Sequence, residues 1–194
     1  MKILLFSDTH GQIEKAIDIY KKLKDIDLVV HLGDFASDAK SMEKQLGIKI
    51  LSVKGNMDGS FSPNGHQVLS TPIGKILITH GHMQSAKKSP QNLLYKAEEL
   101  GCKAVFYGHT HIPIFLHERG IYLLNPGSLT LPLGGRQGSY AVVTITESSL
   151  DASILYVAND EIVGNRSPKE PKLTRNKGKG NSIIRDLLNN SDRF

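Results

Sequence analysis

The segment Val105–Pro113, "VFYGHTHIP", joins an apolar run to a glycine and then to two histidines one residue apart. In an extended backbone residues i and i+2 point the same way, so His109 and His111 can face one target. Loops that follow buried strands often carry functional side chains. What these two imidazoles bind has to be inferred from the other strand ends of the chain.

Polar residues with ligand chemistry recur where apolar runs end. They are Asp8 and His10 in "FSDTHG", Asp34 in "HLGDF", Asn56 in "VKGNMD" and His80 in "LITHGH". Together with the two late histidines they form seven oxygen or imidazole ligands on five loops, and loops after strand ends converge in sheets of this kind. We expect two metal ions that share one ligand.

The expected division uses Asp34 twice. One metal takes Asp8, His10, Asp34 and one of the late histidines, and the other takes Asp34, Asn56, His80 and the remaining histidine. A mixed nitrogen and oxygen set without thiolate favours Mn²⁺, Fe or Zn²⁺. Two metals held about 3.5–4 Å apart can lower the pKa of a bridging water and clamp a phosphoryl group.

The element order supports convergence of these loops. The first third alternates strands and helices, predicted at 2–7, 12–24, 27–32, 38–46 and 48–53. This β-α-β-α-β order implies a parallel sheet with right-handed crossovers.

Hairpins dominate the rest of the chain. They are predicted at 66–71 with 75–79, at 112–117 with 120–124, and at 139–146 with 152–158. A helix is expected between them, capped by Ser89, with Pro90 at its first position and Gly101 at its end. A strand at 103–107 then leads into the two histidines. This order suggests two packed sheets with helices outside.

Composition sets broad limits. The chain has 194 residues, 39% hydrophobic and 22% charged, as in an ordinary soluble domain. No apolar run approaches the roughly 20 residues of a membrane span. The start, MKILLFSDTHG, becomes polar too early for a secretory signal, so we expect a cytoplasmic protein. A single cysteine, Cys102, excludes an intramolecular disulfide and a thiolate metal cage.

The positive charge is unevenly distributed along the chain. The net charge is +5, but residues 159–194 carry eight Lys/Arg and five Asp/Glu, leaving the rest close to neutral. We therefore do not expect a specific nucleic-acid partner. We expect a domain over 1–158 and a basic, partly flexible extension over 159–194. The extension ends in a short amphipathic helix at 182–190, which docks on its own domain or supports homo-oligomerisation.

The ordered motifs D-x-H, G-D, G-N, H and G-H-x-H resemble the calcineurin-like metallophosphoesterase superfamily. The resemblance runs from Met1 to about Val157, and every ligand motif is filled. It is similar to the small single-domain bacterial and archaeal phosphodiesterase branch, in which "LNPGS" at 124–128 and the later "GSYAVV" are typical. The resemblance implies an α/β fold, a four-layer α/β/β/α sandwich of two mixed sheets (the metallo-dependent phosphatase fold).

The resemblance also implies roles for individual residues. Asp34 bridges the two metals and belongs to both sites. The first implied site is Asp8, His10, Asp34 and His111, and the second is Asp34, Asn56, His80 and His109. The expected cofactors are two divalent ions, with Mn²⁺ favoured and Fe, Zn²⁺, Ni²⁺ or Co²⁺ as alternatives.

Residues near the ligands raise the question of an acid. In the protein serine/threonine phosphatase branch, a histidine follows the ligand asparagine and can protonate the leaving group. Here that residue is Met57, which has no titrating proton. Asp58 and His82 are further candidate site residues. We expect Asp58 to orient a ligand, and His82 to act as a donor or to contact phosphate. Arg136 can reach the substrate, and we interpret Asn125 and His31 as structural.

The expected function is metal-dependent hydrolysis of small phosphate esters, above all diesters, through attack by a metal-bridging hydroxide. The alternative is a non-catalytic protein-binding scaffold, because the same fold serves as a scaffold subunit in eukaryotic membrane-trafficking complexes. Those relatives lose ligands from the metal set, whereas this chain keeps them.

Overall fold

A computed structural model describes residues 1–59, 65–135 and 137–157, and the backbone of a short strand at 162–163. Within these residues three helices are described, α1 (Ile13–Lys22), α2 (Ala36–Leu46) and α3 (Gln91–Leu100). The strands are β1 (Lys2–Phe6), β2 (Leu28–His31), β3 (Ile50–Ser52), β4 (His66–Thr71), β5 (Gly74–Thr79), β6 (Cys102–Phe106), β7 (Ile114–Glu118), β8 (Ile121–Asn125), β9 (Ser139–Ile145), β10 (Leu150–Val157) and β11 (Ile162–Val163).

The strands form two mixed sheets. The first has the order β11-β10-β9-β1-β2-β3, and the second has the order β4-β5-β6-β8-β7. Strands β1, β2 and β3 pair in parallel, as do β5, β6 and β8. The hairpins β4–β5, β7–β8 and β9–β10 are antiparallel, and so are the pairs β1–β9 and β10–β11.

Alternating side chains of the strands divide the core into layers. Ile3 and Leu5 of β1 join an apolar cluster between the two sheets, to which Ile76 and Ile78 of β5 also belong. Leu4 and Phe6 point the other way and pack with residues of α1 and α2. A third cluster packs α3 against the outer face of the second sheet. The result is the predicted four-layer α/β/β/α sandwich, which is confirmed.

The predicted elements agree closely with those observed. Helix α2 ends where expected, at Gly47, whose φ of +67° suits glycine. Helix α3 begins at Gln91, one residue later than predicted, although Ser89 Oγ does accept a hydrogen bond from the Gln91 N–H at 3.2 Å. The helix predicted at 182–190 and the residue Arg136 lie outside the described residues.

A buried hydrogen-bond chain fixes the loop after β1. Gly33 N–H donates to Nδ1 of His31 at 3.3 Å, so Nε2 carries the ring hydrogen and donates to Thr9 Oγ1 at 2.9 Å. Thr9 then donates to Asp38 Oδ2 at 2.6 Å, and the Gly11 N–H reaches the same oxygen at 2.8 Å. Burial lowers the pKa of His31 to about 4, as a neutral link requires. The structural interpretation of His31 is therefore confirmed.

No helix among the described residues is long and apolar enough to cross a membrane.

We expect Asp38→Ala to lower the free energy of unfolding by about 1–3 kcal/mol, because it leaves the buried Thr9 hydroxyl and the Gly11 N–H without their acceptor. Urea denaturation with a chelator present measures this without any contribution from bound metal. Asp18→Ala, at an exposed position of α1, is the matched control and should change stability by less than about 0.5 kcal/mol. Equal effects of the two substitutions would contradict the role assigned to the chain of hydrogen bonds.

Candidate metal centre

The loops after β1, β2, β5 and β6 bring six of the seven predicted ligands together. The structure forms two groups whose ligand atoms lie within 4.8 Å of one another, and Asp34 belongs to both. The first group is Asp8, His10, Asp34 and His111, and the second is Asp34, His80 and His109. This is the division that the family resemblance implies, with the two late histidines in different groups.

The backbone at these positions is unusual. Among the described residues, nine that are not glycine have positive φ, and five of these are predicted ligands: Asp8, His10, Asp34, His109 and His111. Left-handed backbone costs energy in residues other than glycine, and in native structures such residues cluster at functional sites. All five residues lie in the loops that follow β1, β2 and β6, and their side chains meet at the shared centre.

Main-chain carbonyls orient two of the imidazoles. Nδ1 of His80 lies 2.8 Å from the Leu32 carbonyl oxygen, and Nδ1 of His111 lies 2.7 Å from that of Leu131. Because a carbonyl oxygen can only accept, Nδ1 must carry the hydrogen in both rings. Nε2 is then left with a free lone pair, which is the form of histidine that binds a metal.

Each free nitrogen faces a carboxylate oxygen. Nε2 of His111 lies 3.0 Å from Asp8 Oδ1, and Nε2 of His80 lies 3.4 Å from Asp34 Oδ1. Two lone pairs at such distances repel unless a proton or a cation neutralises them. Asp8 Oδ1, His10 Nε2 and His80 Nε2 are also buried without a hydrogen-bond partner among the described residues. Such a donor set fits divalent metal ions.

The contacts with histidine lower the pKa values of both carboxylates. Burial alone raises the pKa of Asp8, but its contact with His111 and the charge of His80 outweigh burial and lower it. Burial also opposes ionisation of Asp34, yet His80 and the Met57 N–H, 3.0 Å from Oδ1, lower its pKa to about 2. Both carboxylates are therefore anionic at neutral pH, as metal binding requires.

Burial and neighbouring charges also set the pKa values of the imidazoles. Burial disfavours a charged His80 or His111, but the facing carboxylates raise the pKa of both rings. Among the described residues, no carboxylate lies within ion-pair distance of the His109 ring. Burial and the charges of His80 and Lys87 lower the pKa of His109 to about 4. His109 is consequently neutral at pH 7, with its ring centroid 5.0 Å from that of His80.

Asn56 and Asp58 lie in the turn after β3, beside Asp34. The side chain of Asn56 is exposed, and its role as a ligand stays a prediction. Asp58 accepts hydrogen bonds from the Ala36 N–H, at the start of α2, and from the Gly55 N–H at 2.7 Å. Asp58 therefore ties the loop of Asp34 to the loop of Asn56, and its role as an orienting residue stays a prediction.

His82 lies beside the second group. Its ring centroid is 5.4 Å from that of His80 and 6.1 Å from that of His109, and its buried Nδ1 has no hydrogen-bond partner in the described part of the chain. Burial and the charge of His80 lower the pKa of His82. The ring is thus placed where it can contact a group bound at the centre.

Glycines in the G-D, G-N and G-H motifs leave room for ligands that come from other loops. A Cβ at Gly33 would lie 2.9 Å from His80 Nδ1. A Cβ at Gly55 would overlap the Asp34 carboxylate, and one at Gly108 would overlap Ser7 Oγ and press on Asp8. The motif glycines are therefore required by close approach between loops, in addition to any turn they form.

Sequence reasoning missed several supports of the centre. Ser7 donates to Asp8 Oδ2, the Ser128 hydroxyl donates to the Asp8 carbonyl at 2.8 Å, and Thr130 contacts the same carbonyl at 3.3 Å. The "LNPGS" motif could have indicated Ser128, because Ser128 follows β8 and β8 lies beside β6. Asn125 in the same motif donates to the Gly108 carbonyl at 2.8 Å and accepts from Gly127, which confirms its interpretation as a residue that fixes loops.

Known proteins are similar to this chain in sequence. The chain is 35% identical over 163 residues to the probable metallophosphoesterase YsnB of Bacillus subtilis, which covers 84% of this chain and 95% of that protein. It is 26% identical over 187 residues to the phosphodiesterase YfcE of Escherichia coli, with 79% of this chain and 97% of that protein covered.

A solved structure shows the same fold. Vps29 of Entamoeba histolytica, crystallised with Zn²⁺, superposes with a TM-score of 0.70 over 84% of this chain and 96% of that chain, at 22% identity.

The family model described as the calcineurin-like phosphoesterase superfamily domain matches residues 1–148. With this match over most of its length, the chain belongs to the calcineurin-like phosphoesterase superfamily.

Proposed function

We propose that this chain is a phosphodiesterase that depends on two divalent metal ions and hydrolyses small phosphate esters. The observation that carries the proposal is the sharing of Asp34 by two groups of ligand atoms, each within 4.8 Å. A shared carboxylate holds two cations close enough to act on one phosphoryl group. The phosphodiesterase YfcE, a relative over most of its length, supports a diester substrate.

The ligand roles form part of the proposal. Asp8, His10, Asp34 and His111 hold one ion, and Asp34, Asn56, His80 and His109 hold the other. When bound, the two ions would supply a water of lowered pKa and a positive clamp for the phosphoryl oxygens. The chain contributes fixed geometry, because the carbonyls of Leu32 and Leu131 prevent two of the imidazole rings from turning.

Finer features of the proposal rest on chemistry and composition. Mn²⁺ is the favoured ion for a centre of imidazoles and carboxylates without thiolate, with Fe, Zn²⁺, Ni²⁺ and Co²⁺ as alternatives. We place the protein in the cytoplasm and the catalytic domain at 1–158, followed by the basic extension. The complete set of seven predicted ligands favours catalysis over a protein-binding scaffold, which would not need them.

The activity can be tested directly. Protein purified without chelator and supplied with Mn²⁺ should hydrolyse bis-p-nitrophenyl phosphate, lose the activity in EDTA and regain it when the ion is restored. The release of p-nitrophenol measures the rate. Absence of turnover with each of Mn²⁺, Ni²⁺, Co²⁺, Fe²⁺ and Zn²⁺ would refute the proposal.

The shared carboxylate provides a second test. Asp34→Asn removes the charge common to both groups, and His109→Ala removes a nitrogen from the second, so each should lower kcat/KM at least about a hundredfold. Elemental analysis should show fewer than two ions per chain in both variants.

Matched controls are available within the chain. Asp18→Asn on α1 and His117→Ala on β7 change the same residue types at exposed positions that belong to neither group. Both controls should keep activity and metal content. Full metal content and full activity in Asp34→Asn would show that this carboxylate is not shared.

The leaving group should govern the rate. Met57 occupies the position after Asn56 and has no proton to give to a departing alkoxide. We therefore expect aryl diesters to be hydrolysed much faster than dialkyl diesters, and a plot of log kcat against leaving-group pKa to have a clear negative slope. A flat plot, with the chemical step shown to limit the rate, would mean that another group supplies the proton.

A further inference from the structure

Large apolar side chains are exposed around the candidate metal centre. Four of the seven such side chains in the described residues lie in loops that carry or contact its ligands: Met57 (60% exposed), Met83 (48%), Leu131 (51%) and Leu133 (51%). We call these four residues the apolar rim. Scattered exposed apolar residues are normal in proteins, but a group of them at one site usually marks a binding surface.

Two members of the rim adjoin the second ligand group. Met57 directly follows the predicted ligand Asn56, and its N–H donates to Asp34 Oδ1 at 3.0 Å. Met83 follows His82 and comes three residues after His80, and its Sδ lies against Gly65. Both residues therefore lie in loops that carry ligands or predicted ligands of the second group.

The other two members adjoin the first ligand group through His111. The Leu131 carbonyl accepts the hydrogen of His111 Nδ1 at 2.7 Å, and the Leu133 N–H donates to the His111 carbonyl at 3.0 Å. The rim thus has one pair of apolar residues beside each ligand group.

The physical chemistry of these side chains favours a flat apolar ligand. Removing the apolar surface of a methionine or leucine from water is favourable, and about half of the surface of each of these four side chains is still exposed. Methionine is flexible and polarisable, and its sulfur makes favourable contacts with aromatic rings. A small alkyl diester would leave most of this apolar surface in water.

We propose that the apolar rim binds the organic group that stays on phosphorus and selects phosphodiesters in which that group is a flat aromatic or heteroaromatic ring. The proposal rests on the proposed function, because the phosphoryl group must lie at the metal centre for its substituent to reach the rim. It differs from the leaving-group prediction, since it concerns the group that is not displaced.

Methyl NMR tests the contact without turnover. The chain has four methionines, of which Met57 and Met83 belong to the rim, whereas Met42 is fully buried in α2 and Met1 is the N-terminus. Protein labelled at the methionine methyls and loaded with Zn²⁺ is titrated to saturation with phenylphosphonate or with methylphosphonate. Met57→Leu and Met83→Leu assign the two signals.

Phenylphosphonate should shift the methyl signals of Met57 and Met83 through its ring current, well beyond the effect of methylphosphonate. Met1 and Met42 should not respond to either compound. Equal responses of the rim methyls to the two phosphonates would overturn the apolar rim and leave the metal centre intact. Failure of both compounds to bind would contradict the metal centre itself.

Kinetics with a constant leaving group give a second readout. Bis-p-nitrophenyl phosphate and methyl p-nitrophenyl phosphate lose the same group, so the ratio of their kcat/KM values reports the retained group. We expect Met83→Gln combined with Leu133→Gln to lower this ratio about tenfold. Val68→Gln, at an exposed position of β4, should leave it unchanged. A ratio that stays constant in the double variant would overturn the proposal.

Discussion

The burial of two carboxylates, Asp8 and Asp34, constrains the rest of the structure. They are 0% and 3% exposed, and removing a carboxylate from water is expensive unless positive charge compensates for it. The ion-pair contacts found for them are with His111 and His80, whose second nitrogens are held by main-chain carbonyls. The convergence of strand ends, the turned backbone and the anchored imidazoles all serve to place charge around this pair.

Much of this could be predicted from sequence, because each ligand follows an apolar strand. The order of apolar strands and helices was enough to infer a parallel half and a hairpin-rich half, and the polar residues at the strand ends were enough to infer a common site. The roles of the Leu32 and Leu131 carbonyls could not be predicted from sequence. Every residue has a carbonyl, and tertiary structure alone decides where it points. The bond from Thr9 to Asp38 was also hidden, because nothing local to either residue implies it.

Stability and function compete within the centre. Five predicted ligands have left-handed backbone, and such conformations cost on the order of 1 kcal/mol each in residues other than glycine. The surrounding supports offset this cost: Ser128 holds the Asp8 carbonyl, Asn125 holds the Gly108 carbonyl, and Asp58 joins two loops. The layers of apolar side chains stabilise the frame, while these polar contacts hold the strained turns in one arrangement.

The motif glycines carry a consequence for how this protein can change. Gly33 makes room for His80, Gly55 for Asp34, and Gly108 for Asp8, so each glycine serves a loop other than its own. A mutation at one of them would displace a ligand that is distant in sequence and delivered by a different strand. Short motifs such as G-D and G-H thus reflect contacts between loops in the folded protein. The loops of this centre can diverge in length and outer surface, but at these points they must evolve together.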